Sequence, residues 1–271
     1  MKIPMLVALL GALSSAAPCA AELLVAPTRI LLSPASRSAE LVLVNKGVEA
    51  AAFRLAIENR RMRPDGSLEA ATTPQADEKF ADDKLRFSPR QLTLEPGARQ
   101  VVRVMADIAP DLAPGEYRSH LRLMSAPVSA GRSLPTAAPS DNSLSIELIA
   151  IRSLTVPIIL RVGRLDAAVS VDTAALEGPA QSDLVVKLAR TGTRSTYGDI
   201  SLTVDGEKEP AWLVRGVAIY TPNLARDVVL PLPAEVKARL AGKRVRIAYI
   251  STDSAEASLS GTVLASLTAQ L

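Results

Sequence analysis

Apolar residues recur at every second position along most of this chain, and that period of two is its strongest constraint. Phe53, Leu55 and Ile57 alternate with Arg54 and Glu58, and Tyr117, Ser119, Leu121 and Leu123 alternate with Arg118, His120 and Arg122. The pattern returns in Leu184, Val186 and Leu188, in Ile200, Leu202 and Val204, and in Val245, Ile247 and Tyr249. Side chains two apart on an extended strand share a face, so the spacing predicts strands with one face in a core and one in water. Turn-forming stretches separate the runs: Asn45-Lys46-Gly47, Pro64-Asp65-Gly66, Glu95-Pro96-Gly97, Ala113-Pro114-Gly115 and Asp205-Gly206. Many short strands at this spacing predict an all-β protein made of β-sandwiches. One helix is expected, over residues 233–240. Pro233 suits a first turn, Val236 and Leu240 are spaced i,i+4, and Gly242 can end it.

With 271 residues, 48% of them hydrophobic and 22% charged, the chain has room for two cores. Residues 125–142 are rich in Ala, Ser, Pro and Gly and carry no period, which reads as a long loop. A long apolar-rich strand follows and ends at Arg161-Val162-Gly163-Arg164, after which the alternation restarts with Leu165, Ala167, Val169 and Val171. The expected domains are therefore 22–162 and 163–271.

At the N-terminus, Met1-Lys2 precedes an apolar run from Ile3 to Leu13 and then Ser14, Ser15, Ala16 and Ala17. The run is shorter than the roughly 20 residues a membrane-spanning helix needs. A basic start, an apolar stretch and a small-residue exit predict a secretory signal peptide over residues 1–21, cut after Ala21. Cys19 as a lipid-attachment site and a buried N-terminal helix are the alternatives. The expected product is exported, without stable membrane insertion.

Composition excludes most reaction chemistries. The chain has one Cys and one His, which leaves no Cys/His zinc set and no thiol–disulfide pair. No Gly-rich phosphate loop is present, since Glu95-Pro96-Gly97 and Ala113-Pro114-Gly115 are turns. Asp77-Glu78 and Asp82-Asp83 lie in a polar stretch between strands and are expected to be solvated, and His120 is expected on an outward, solvated strand face. No enzyme, metal or cofactor is expected. The net charge of +3 comes from interspersed residues, so no nucleic-acid-binding arm is expected either. Tyr117 opens a strand directly after a turn, the position of a tyrosine corner in Greek-key sandwiches, or of a plain strand tyrosine.

The stretch 143–151 carries the functional signal. Leu144, Ile146, Leu148 and Ala150 point to one face, Ser145 and Glu147 to the other. That face is either buried internally or lent to another protein whose unfinished sheet it completes.

Two longer runs resemble a known family. They are Val25-Ala26-Pro27-Thr28-Arg29-Ile30-Leu31-Leu32-Ser33-Pro34 with Ala39-Glu40-Leu41-Val42-Leu43-Val44-Asn45, and Leu85-Arg86-Phe87-Ser88-Pro89 through Gln100-Val101-Val102-Arg103-Val104. Together with Gly115-Glu116-Tyr117-Arg118-Ser119, they resemble the first domain of the periplasmic pilus-assembly chaperones of the usher pathway (PapD-like). The second domain matches only in its alternating, sandwich-like pattern.

The resemblance implies two Ig-like sandwiches set at an angle around a cleft, in the periplasm. Its implied partners are pilus or fimbrial subunits and an outer-membrane usher. It implies that an Arg on the first strand and a basic residue late in domain one anchor a subunit's C-terminal carboxylate; Arg29 takes the first position and Arg152 is the candidate for the second. Leu144, Ile146, Leu148 and Ala150 match the residues such chaperones lend. The family's longer-loop branch often carries a disulfide here, which this chain cannot form, so a divergent member is expected. An exported Ig-like structural subunit or adhesin is the alternative.

Overall fold

A computed structural model describes residues 23–126, 152–252 and 261–271. The expected signal peptide, Cys19 and the segment bearing Leu144, Ile146, Leu148 and Ala150 lie outside those residues. The described chain is two β-sandwiches joined in sequence.

The first sandwich uses β1 (Leu23–Ala26), β2 (Ile30–Leu32), β3 (Ser38–Asn45), β4 (Ala51–Glu58), β5 (Arg60–Met62), β6 (Leu68–Ala70), β7 (Leu85–Ser88), β8 (Gln91–Leu94), β9 (Arg99–Ala106), β10 (Gly115–Ala126) and β11 (Ser153–Val162). One sheet has the order β1-β3-β9-β7 and the facing sheet β2-β11-β10-β4-β8, while β5 and β6 form a separate two-stranded hairpin. The order is that of an immunoglobulin-type sandwich. Its first strand is divided: β1 pairs antiparallel with β3, and β2 crosses to the other sheet to pair parallel with β11.

The alternation explains the core. Leu41 and Leu43 on β3 and Val102 and Val104 on β9 face Leu121 and Leu123 on β10 and Ile158 and Leu160 on β11, all essentially inaccessible. Tyr117 makes the corner contact, its hydroxyl donating to the Ala113 carbonyl at 2.9 Å.

The second sandwich comprises β12 (Ala167–Glu177), β13 (Asp183–Gly192), β14 (Thr196–Val204), β15 (Trp212–Ile219), β16 (Ala225–Pro231), β17 (Arg244–Ser251) and β18 (Val263–Gln270). The sheets run β12-β13-β16 and β15-β14-β17-β18. Helix α1 (Ala234–Leu240) has Pro233 at its N-cap and buries Val236 and Leu240 into this core. Glu235 in its first turn and Lys237 and Arg239 in its last complement the helix dipole.

One feature departs from simple alternation. Strand β10 is buried at every position from Gly115 to Leu121, on both faces. Its outer face carries Glu116, Arg118 and His120, and it is covered by the second sandwich and the β5–β6 hairpin. His120, expected in solvent, is 0% exposed. Glu78, expected in a solvated loop, is also buried and ion-paired with Arg61 at 2.6 Å. Asp82 and Asp83 are exposed.

Candidate functional site: a basic cleft between the two sandwiches

Strand register lines up the outer face of the second sheet in rows. Ile30 lies level with Ile158, so Arg29, one residue earlier, comes level with Pro157. Pro157 pairs with His120, and His120 with Glu58. The next row is Leu31, Ile159 and Arg118. These side chains form the wall of domain one that meets domain two.

The opposing wall is aromatic. The Arg29 guanidinium lies 4.0 Å from the centre of the Tyr197 ring, and that of Arg118 lies 4.4 Å from the centre of the Tyr220 ring. Such stacking holds a guanidinium in place. Arg118 also donates from Nη2 to the Thr221 carbonyl at 3.2 Å. Burial raises the Tyr220 phenol pKa, and the charges of Arg118 and Arg29 oppose that rise. Both guanidinia therefore act on one phenol across the domain boundary.

Glu58 is the carboxylate of this wall, accepting a hydrogen bond from Arg60 and lying 3.2 Å from Nε of Arg122. Neither ring nitrogen of His120 has a hydrogen-bond partner among the described residues, and neither do Nε and Nη1 of Arg118. Burial, with the adjacent charges of Arg118 and Arg60, holds the His120 pKa down to about 3. Its ordinary value is 6.5. The folded state thus binds fewer protons than the unfolded chain between those values, and its stability falls as pH drops through that window. The slope from this residue approaches about 1.4 kcal/mol per pH unit. His120→Leu is expected to flatten the loss of urea stability between pH 7 and pH 4.5. Equal pH slopes in the two proteins would refute this role.

Deeper in the boundary, Glu116 knots the domains together. Its fully enclosed side chain accepts from Arg161 Nε at 3.0 Å, from the Ser195 amide at 3.0 Å, from the Ser195 hydroxyl, and from the Thr221 hydroxyl at 3.2 Å. Arg161 also reaches the Ser195 carbonyl at 3.2 Å. On the cleft side, the β5–β6 hairpin crosses to domain two. Asn223 Nδ2 donates to the Met62 carbonyl at 2.9 Å, and the Asp227 amide donates to the Pro64 carbonyl at 2.8 Å.

Of the expected anchor residues, Arg29 lies in the cleft. Arg152 does not join it. It is exposed just before β11, its amide donating to the Ser125 hydroxyl and its carbonyl accepting from the Ser125 amide, each at 2.8 Å. Five residues of extended chain, about 17 Å, separate it from Pro157. The cation that shares the wall with Arg29 comes from β10 instead. The signal was present in the sequence, because Arg118, His120 and Arg122 share one parity on a single strand.

No protein-family model matches the chain, and no curated protein matches it either. Among solved structures, the chain is similar to the CsuC–CsuE chaperone–tip adhesion subunit pre-assembly complex of Acinetobacter baumannii. That match has 8% identity and a TM-score of 0.46, and it covers 84% of this chain and 93% of the other. The Pseudomonas aeruginosa CupB2 chaperone matches with 13% identity over 91% of this chain and 98% of the other, at a TM-score of 0.42. The E. coli chaperone DraB matches with 16% identity over 93% and 99%, at a TM-score of 0.40. The chain is similar to pilus chaperones.

Proposed function

We propose that this protein is a periplasmic chaperone that caps pilus or fimbrial subunits by lending them a β-strand, without ATP and without a cofactor. The observation that carries this reading is the free edge of β11. Strand β2 covers only Ile158–Leu160. On the side away from β10, Ser153 to Pro157 have no partner strand among the described residues. Pro157, which has no N–H, suits the boundary of such an edge. Leu154 is 44% exposed although its parity matches the buried Val156 and Ile158. Leu144, Ile146, Leu148 and Ala150 have that same parity. Carried forward as one strand, they would offer an apolar row to a cargo sheet that lacks a strand.

Arg29 stands at the end of this edge, where a cargo chain paired along it would terminate. Its guanidinium would take the terminal carboxylate through two charge-assisted bonds. Burial of the cargo's exposed groove supplies the free energy of capture, and a strand from the next subunit releases it, with an outer-membrane usher as the second partner. A structural subunit would need its N-terminal segment free for a neighbour, whereas Leu23–Ala26 pairs with β3 of its own sandwich.

The direct test is co-purification with subunits encoded alongside. Ile146→Asp places a charge in the lent row and is expected to abolish capture, while Val48→Asp, at a position 71% exposed, leaves it intact. Wild-type capture by Ile146→Asp would rule out strand lending.

A further inference from the structure

The β5–β6 hairpin lies where the cleft would otherwise open. Its two strands pair only with each other, and an isolated two-stranded hairpin is marginally stable in water. It is held from both sandwiches. Domain two supplies the bonds from Asn223 and Asp227 and the packing of Ala218 and Tyr220 on Met62 and Leu68. Domain one supplies Leu31 and Ile159 beneath the same residues and the ion pairs of Arg61 with Glu78 and of Arg60 with Glu58. At the tip, Gly66 has φ +87°, and a Cβ there would stand 2.3 Å from Arg226 Nη2, so the guanidinium lies against bare backbone. At the hairpin's root, Ser119 Oγ donates to Asn59 Oδ1 at 2.6 Å and the Ala71 amide donates to the Asn59 carbonyl at 3.0 Å.

Beneath the hairpin sit four buried polar atoms without partners among the described residues: Nε and Nη1 of Arg118, and Nδ1 and Nε2 of His120. Arg118 is 4% exposed and His120 0%. Buried donors are ordinarily paired, and each one left unpaired destabilises the fold. Four at one spot, all but one able to donate in a neutral-histidine state, make a place that lacks an acceptor.

We propose that the β5–β6 hairpin is a strap closed over an anion-accepting site formed by Arg118 and His120, and that the strap lifts off domain two to admit a carboxylate. The proposal deepens the chaperone reading, on which it rests for the nature of the anion: a chain-terminal carboxylate reaching past Arg29. Arg118 supplies two N–H groups and the imidazole a third. The charged groups facing His120 are Arg118 and Arg122 on its own strand, Glu58 on β4, Arg60 on the strap and Arg29 ahead of β2.

His120 is the chain's one histidine, so isotope labelling of histidine gives a single imidazole signal. The strap is latched by Pro64→Cys with Asp227→Cys in a Cys19→Ser background, because the two backbones are already joined by a 2.8 Å hydrogen bond. The probe is an acetylated hexapeptide with a free C-terminal carboxylate, compared with its amide. In the reduced protein, the free acid is expected to shift the His120 signal and raise its titration midpoint by at least one pH unit, with the amide at least tenfold weaker. Oxidation should suppress that response, and reduction should restore it. Gly66→Ala, which displaces Arg226 and strains the turn, should lower the peptide concentration needed for half the shift.

An equal response in the oxidised and reduced forms would overturn the strap. No His120 response from any form, while subunits still co-purify, would overturn the site and leave the chaperone reading standing. A latch-sensitive His120 response without subunit capture would support the strap and count against the chaperone.

Discussion

Replacing Glu116 with alanine is expected to destabilise the protein by about 3–5 kcal/mol and to uncouple its two sandwiches. Glu116 sits on β10 of domain one, yet it accepts hydrogen bonds from Ser195 and Thr221 of domain two as well as from Arg161 beside it. The carboxylate is wholly enclosed and the Arg161 side chain is 12% exposed. Removing the carboxylate takes an enclosed charge from beside a largely desolvated guanidinium and strips an acceptor from Ser195 and Thr221, which costs far more than the pair's net worth. Both cores are self-contained, so the loss should appear at the joint. Urea unfolding is expected to broaden or divide into two steps, and small-angle scattering should show a wider spread of domain separations. Glu116→Gln keeps the shape and one acceptor oxygen, so it should fall between the two. A wild-type midpoint and a single sharp transition in Glu116→Ala would show that the knot does not couple the domains.

The second large effect is expected at Arg29. Truncation to alanine should weaken subunit binding by about 2–5 kcal/mol, roughly 30-fold to several-thousand-fold. A guanidinium stacked on Tyr197 is held ready, so little of its binding energy is spent on ordering. Arg29→Lys is the sharper probe. It keeps the charge but loses the fork and the planar stack, and is expected to recover only part of the affinity. Affinity of purified variants for a purified subunit, against the same subunit ending in an amide, checks both. If alanine costs the free acid and the amide equally, Arg29 does not read the carboxylate. Since Arg29 lies between domains, thermal midpoints taken alongside separate lost binding from lost folding.

The comparison of Arg152 with Arg118 shows where sequence reasoning stops. Both are basic and both are followed by a serine. Counting along the chain favours Arg152, because it follows the segment expected to be lent. Register adds what counting does not show: β2 docks beside Ile158–Leu160, which brings Arg29 level with Pro157 and sets β10, with His120 and Arg118, on the other side of β11. A one-residue change of register would turn every one of these side chains to the other face. His120 teaches the same lesson from burial. Its parity assigned it to the outer face, which was right, but parity is silent about what lies over that face. The hairpin and domain two cover it, and those contacts join residues such as Met62 and Asn223, far apart in sequence.

The period of two, the turn residues and the restart after Val162 are local properties, and they were sufficient for the all-β class, the positions of most strands and the helix bearing Val236 and Leu240. Local spacing acts through the backbone's own geometry, which every chain shares. The cleft with Arg29, Arg118 and His120, the Glu116 knot and the strap depend on one sandwich resting against another. Only the tertiary structure decided them, because long-range packing chooses which outward face becomes an inside.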